Sequence, residues 1–103
     1  MLALTRREGE SILVGDFELA VLEVGEDVVQ LRITHSLDPE NIFIEMWVGV
    51  EEEFRIGKSV LGKIAVIRHN GVGICIEAPR SITILRKEIS GGEPTRTRFP
   101  GIH

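Results

Sequence analysis

The chain has 103 residues, 43% of them hydrophobic and 27% charged, which favours one small folded domain and excludes a disordered chain. No apolar run approaches the roughly 20 residues that span a bilayer, and none follows Arg6 and Arg7, so we expect neither a membrane span nor a signal peptide. The single cysteine, Cys75, excludes an internal disulfide. A cytoplasmic protein is the simplest interpretation.

Short aliphatic runs bounded by glycine, aspartate, asparagine or proline follow one another along the chain and predict β-strands. The predicted strands cover residues 1–7, 11–14, 18–24, 28–34, 42–50, 54–56, 60–68, 72–77 and 82–87. No segment carries a sustained 3.6-residue period, and the glycines after Ser90 stop any helix there. The sequence therefore predicts an all-β protein with little or no helix, followed by a flexible C-terminal tail over residues 90–103.

An internal repeat accompanies these strands. Val14-Gly15 corresponds to Ile56-Gly57, 42 positions later, and the aliphatic pattern of residues 28–33 returns at 71–76. Residues 39–44 fall on 79–84, which places Met46 at the position of Arg86. We expect one domain over residues 1–89, made of a degenerate copy (1–50) intertwined with a second copy (51–89). The alternative is one continuous meander whose strands look alike.

Basic charge is concentrated at the two ends of the chain. Residues 1–7 and 80–98 hold seven Lys or Arg and two acids, whereas residues 8–79 hold five bases and fourteen acids. If the fold brings the ends together, they form a basic patch on a protein whose net charge is −4. If it does not, these side chains are merely solvated.

Two stretches resemble the carbon storage regulator family. The first is Leu-Thr-Arg-Arg over residues 4–7, followed by Gly9-Glu10, and the second runs over residues 76–89 through Ala78-Pro79 to the last predicted strand. Members of that family are about half as long and dimerise by exchanging strands. The resemblance therefore implies two interlocked five-strand-like copies fused into one small barrel or sandwich, a pseudo-dimer within one chain.

A binding surface can be reasoned from strand geometry. Residues two apart share one face of a strand, so Leu4 lies with Arg6 and Ile84 lies with Arg86. Pairing the first strand with the last would place both arginines on a small apolar platform. Arginine presents a planar fork of donors suited to phosphates and guanine, and single-stranded loops are the RNA elements whose base edges are open.

The resemblance also implies the ligand and the residues that bind it. Family members recognise GGA in hairpin loops of mRNA or small RNA, and thereby block translation or alter message stability. They bind where the first strand of one subunit lies beside the fifth strand of the other. The matching residues here are Leu4, Thr5, Arg6, Arg7, Pro79, Arg80, Ile84 and Arg86. The resemblance implies no cofactor, DNA or membrane.

The fused copies predict one RNA site per chain. The opposite site would combine residues 48–53 with residues 42–46, which lack the arginines and include Glu45, Glu51, Glu52 and Glu53. Carboxylates there would repel phosphate. The sequence leaves open whether the chain remains a monomer.

Other functions have weaker support in the sequence. His35, His69, His103 and Cys75 match no zinc spacing, and no catalytic constellation is recognisable, so we expect neither a metal site nor an enzyme. The alternative is a protein-interaction module, or an antagonist derived from this fold, that has lost RNA affinity and binds a partner through a strand edge.

Overall fold

The computed structural model describes residues 1–35, 43–69 and 71–87. Every regular element in these ranges is a strand, which confirms the predicted all-β class. The strands are β1 Leu2–Arg6, β2 Ser11–Val14, β3 Phe17–Val24, β4 Val28–His35, β5 Phe43–Gly49, β6 Glu53–Ile56, β7 Val60–Arg68, β8 Gly71–Glu77 and β9 Ile84–Lys87. The predicted tail, residues 90–103, lies outside the described residues.

The strands form two antiparallel sheets that exchange strands between the halves of the chain. One sheet has the order β1-β8-β7-β6 and the other has the order β5-β4-β3-β2-β9. Strand β1 thus completes the sheet of the second half, while β5 and β9 complete the sheet of the first half. This interlocked arrangement agrees with the predicted pseudo-dimer.

The core lies between the two sheets. Alternating aliphatic residues point inward from each strand, as expected where one face of a sheet is buried. The largest fully buried side chains are Ile12, Leu19, Leu31, Ile56, Ile64, Ile74 and Ile76, together with Val14, Val21, Val29 and Val72. Burial of each contributes about 1.5–3 kcal/mol, so the core drives the two halves to fold as one unit.

The backbone repeats with an offset of 42 residues across β1–β2 and β5–β6. Gly9 and Glu51 both have positive φ, 87° and 72°, and both donate N–H bonds to β-strand carbonyls. The acceptor of Gly9 is Val21 O at 2.8 Å, and that of Glu51 is Ile64 O at 2.7 Å. Gly15 and Gly57 repeat the pattern in the next turn, with φ of 58° and 69°. These paired features make β5 the structural equivalent of β1, and β6 the equivalent of β2.

This equivalence corrects one sequence interpretation. Met46 was expected at the position of Arg86, but β5 pairs with β4 as β1 pairs with β8. Met46 stands opposite Leu31 where Leu4 stands opposite Ile74, so Met46 is the equivalent of Leu4. Short aliphatic strands have similar sequences, so the equivalence of two strands is established by the strands with which they pair.

Replacing Glu51 by glycine is expected to stabilise the protein. The left-handed conformation at residue 51 costs about 1 kcal/mol for a residue with a Cβ, and glycine adopts it without that cost. We expect the melting temperature to rise by about 5 °C. A lower melting temperature for Glu51→Gly would contradict this account.

The control for that experiment is Glu51→Gln, which keeps the backbone cost and removes only the charge. The Glu51 carboxylate lies 3.1 Å from Lys63 Nζ, and this hydrogen bond raises the pKa of Lys63 above its ordinary value of 10.5. Both side chains are largely solvated, at 68% and 42% exposure, so the ion pair itself contributes little. Glu51→Gln should therefore melt close to the parent chain.

Candidate nucleic-acid interface

The two ends of the described chain meet through β2 rather than by pairing with each other. Strand β1 pairs with β8 and strand β9 pairs with β2, so the expected direct pairing of first and last strands is wrong. Arg6 Nη1 nevertheless donates to Ser11 O at 3.2 Å, and Ser11 lies opposite Lys87 in the β2–β9 ladder. The side chain of the last β1 residue thereby reaches β2, the strand that pairs with β9, across the edge between the two sheets.

The predicted face-sharing pairs both point into the space between the sheets. Leu4 and Arg6 share the inner face of β1 and are buried, at 7% and 6% exposure. Ile84 stands opposite the buried Val14 and packs against the core, whereas Arg86 stands opposite the buried Ile12. Arg86 is nevertheless exposed, because β9 is the outermost strand of its sheet. The two strands thus contribute the buried Leu4, the half-buried Ile84 and the exposed guanidinium of Arg86.

Arg6 is held on several sides by the protein. Its Nε donates to Thr5 O at 2.8 Å, its Nη1 donates to Ser11 O, and Nε lies 3.6 Å from Glu10 Oε1. A buried guanidinium engaged in this way ties β1 to β2 and so aligns the two sheet edges. Together with the burial of Leu4, this places two of the eight sequence-predicted residues under the surface rather than on it.

Arg7 and Thr5 are exposed at the same end of the interface. The turn after β1 holds Arg7 in place, because its N–H donates to Glu10 Oε1 at 2.9 Å and its C=O accepts from Glu10 N at 3.0 Å. Glu10 therefore positions both N-terminal arginines, a role that sequence reasoning missed. The sequence signal for this role is the position of Glu10, four residues after Arg6 and three after Arg7, just beyond the turn at Gly9.

Pro79 and Arg80 lie at the other end of β9. They belong to a turn closed by a bond from Ile82 N to Pro79 O at 3.0 Å, and Gly15 N then donates to Thr83 O at 2.9 Å, where β9 begins. Both residues are exposed. Arg80 thus precedes β9 and Arg86 lies near its end, so the candidate site is an elongated strip along the outer strand.

The equivalent strip on the other side of the molecule has no arginine from β5. The 42-residue offset places Met46, Trp47, Val48 and Gly49 at the positions of Leu-Thr-Arg-Arg. Arg32, on the strand β4 that pairs with β5, lies on the outer face of the sheet, with its Nη2 2.8 Å from Glu45 Oε2. Among the described residues, β6 also lacks the outer strand that β9 provides for β2.

A comparison with protein families fits this geometry. The model of a family described as CsrA, the global regulator protein family, matches residues 1–38 and 49–92. The chain belongs to this family. No curated protein and no solved structure matches the chain.

The two matched ranges contain strands β1–β4 and β6–β9. The residues between them, 39–48, include most of β5, the strand that has Val48 and Gly49 at the positions of Arg6 and Arg7. Membership makes the chain a global post-transcriptional regulator, from a family of regulators rather than enzymes. In the part of the chain that the structure describes, no group of three or more His, Cys, Asp or Glu could hold a metal ion, and no helix could cross a membrane.

Proposed function

We propose that the chain regulates translation or message stability in the cytoplasm by binding GGA-bearing hairpin loops of mRNA or small RNA. The observation that carries the proposal is the Arg6–Ser11 bond, which ties the end of β1 to β2, the strand that pairs with β9. Arg7 follows β1 and Arg86 lies on β9, and both are exposed. The planar guanidinium of arginine donates paired hydrogen bonds to guanine edges and to phosphates, and an RNA hairpin loop exposes both groups. CsrA membership supports RNA as the ligand class.

The charge distribution supports the same surface. The arginines of the candidate site belong to the basic ends of an otherwise acidic chain, so an RNA loop is attracted to this edge and repelled elsewhere. Leu4 and Ile84 lie beneath and beside the arginines and limit the water around them. Thr5, with an exposed hydroxyl next to Arg6, can donate to or accept from RNA.

We further propose a single RNA site per chain. The equivalents of Arg6 and Arg7 are Val48 and Gly49, and the turn that follows them carries Glu51 and Glu52. This second edge offers RNA no arginine on the β5 side and presents carboxylates in its place. A homodimer of separate copies would have two equal sites by symmetry, and the fused chain has two unequal edges.

Calorimetric titration with a GGA hairpin RNA tests the proposal. We expect one RNA per folded chain, an affinity that falls as salt is added, and much weaker binding of a hairpin whose GGA is altered while its stem is unchanged. Two RNAs per chain would contradict the single site. Equal binding of both hairpins would contradict the sequence preference.

A second candidate function is a protein-interaction module with reduced RNA binding. The observation that favours it is the exposed outer strand β5, whose Phe43 and Trp47 are 50% and 54% exposed. Exposed edge strands pair readily with extended segments of other proteins. A pull-down from lysate with and without RNase separates the candidates, because partners held through RNA disappear after digestion.

A further inference from the structure

A cavity of about 460 Å³ lies where β2 and β6 end and β9 begins. Three segments line it: the turn after β2, the turn after β6 and residues 81–83, which lead into β9. Its volume is typical of small-molecule sites, which measure about 300–1,000 Å³. The described residues that line it include none of the eight sequence-predicted RNA-binding residues, so the cavity is distinct from the candidate interface.

The interior of the cavity is apolar. Val14 and Ile56, the last residues of β2 and β6, lie at its base and are each 1% exposed. Phe17 and Ile82 are half-buried and form its walls. Apolar walls of this kind remove the flat face of a planar ring system from water, which favours binding.

Two close contacts hold these walls in place. Phe17 packs so closely on Gly57 that a Cβ there would stand 2.7 Å from Phe17 Cε2. Ile82 packs against Gly15, where a Cβ would stand 3.4 Å from Ile82 Cγ2, and Gly15 N donates to Thr83 O at 2.9 Å. The walls are therefore formed before a ligand arrives, which lowers the entropic cost of binding.

The rim of the cavity is polar and exposed. It carries the ammonium group of Lys58 and the hydroxyl groups of Ser59, Ser81 and Thr83. An ammonium group binds phosphate as a point charge, and hydroxyl groups donate to and accept from phosphate, ribose or base atoms. Asp16 also lines the cavity, and its carboxylate repels phosphate, so a phosphate group is expected beside Lys58.

We propose that this cavity binds a nucleotide, with the base against Phe17 and Ile82 and the phosphate at Lys58. Inorganic phosphate would leave the apolar walls in contact with water, and an apolar molecule would make no use of the ammonium group. A nucleotide combines the planar ring and the negative charge that the lining accommodates.

The nucleotide has two possible sources with the same chemistry. One is the RNA bound along β9, because Thr83 precedes Arg86 by three residues, which is about 10 Å of strand. The other is a free mononucleotide. The RNA source rests on the proposed function, whereas binding of a free mononucleotide does not.

Titration of the isotope-labelled full chain with AMP and GMP, followed by amide chemical shifts, tests the cavity. We expect saturable shifts at Lys58, Ser81 and Thr83. Inorganic phosphate and the matching nucleosides each provide only part of the ligand and should bind about 10-fold more weakly or less. No saturable shifts at these residues, or equal binding of phosphate and nucleotide, would overturn the proposal.

Substitutions in the lining provide the matched comparison. Lys58→Ala removes the charge, and Ser81→Trp fills the cavity from an exposed position, so each should weaken nucleotide binding about 10-fold. The control is Lys63→Ala, which removes the same charge outside the cavity and should bind as the parent chain does. If both lining variants bind the nucleotide as tightly as the control, the assignment is wrong.

The GGA hairpin RNA then decides the source. If the nucleotide belongs to RNA, Lys58→Ala and Ser81→Trp should each lower the hairpin affinity about 10-fold relative to Lys63→Ala. If the hairpin binds all three variants equally while AMP or GMP needs the intact cavity, the ligand is a free nucleotide. A parent chain that binds mononucleotides here but no hairpin would contradict the proposed function and support this inference.

Discussion

Replacing Arg86 by alanine is expected to lower the affinity for a GGA hairpin RNA by about 10- to 100-fold, because an arginine that forks onto a base contributes about 1–3 kcal/mol. Arg86 is exposed on the outermost strand of its sheet, and substitutions of exposed residues usually change the free energy of unfolding by no more than about 0.5 kcal/mol. The melting temperature should therefore stay close to that of the parent chain. Calorimetric titration, with thermal unfolding monitored in parallel, measures both quantities.

The control for Arg86→Ala is Arg32→Ala, which removes the same charge from the outer face of β4. Arg32 pairs with Glu45 and lies over the Phe43 ring at 4.6 Å, three strands from β9 in the same sheet. It should bind RNA almost as the parent does. An equal loss of affinity in both variants would mean that RNA binding depends on net charge alone. It would contradict the proposal that the Arg86 guanidinium binds a base through paired hydrogen bonds.

The all-β class and the strand ranges followed from the sequence because the physical signals are local. Alternating aliphatic residues mark the strands, and glycines such as Gly15 and Gly57 mark turns that need positive φ. The approach of the two chain ends to each other was harder to predict from the sequence. It depends on β1 joining β8 and β9 joining β2, and local patterns do not encode these long-range pairings.

The candidate site was predicted in part. The alternation rule placed Leu4 with Arg6 and Ile84 with Arg86 on shared faces, and the structure has them so. Alternation alone does not predict which face of the strand is buried, because burial depends on where the other sheet packs. Arg6 therefore emerged as a buried tie between strands, while Arg7 and Arg86 stay exposed.

The position of β5 was harder to predict because its side chains differ from those of β1. Sequence matching set residues 42–46 on the last strand, since Ile42-Phe43-Ile44 and Ile82-Thr83-Ile84 share an aliphatic alternation. The equivalence of β5 and β1 is shown by backbone features, above all the positive φ that Gly9 and Glu51 share. A glycine in the sequence indicates a positive φ, but a glutamate does not. The backbone conformation thus repeats at a position where the side chains differ.

Replacing Arg6 by alanine is expected to destabilise the fold by about 2–4 kcal/mol, the range for hydrogen bonds from a charged group that leave a buried partner unpaired. The Ser11 carbonyl would lose the Nη1 donor, and the Glu10 carboxylate would lose its nearby charge. For a chain of this size the melting temperature should fall by about 10 °C or more. Thermal unfolding followed by circular dichroism measures the change.

The matched variant is Arg7→Ala, which removes the same charge one residue later from an exposed side chain. Its bonds to Glu10 use the backbone, so its melting temperature should barely change while its RNA affinity falls. If instead Arg6→Ala melts like the parent chain and loses RNA binding as fully as Arg86→Ala, then Arg6 contacts RNA directly. The edge between the sheets would then have to open when RNA binds, because Arg6 is only 6% exposed in the free chain.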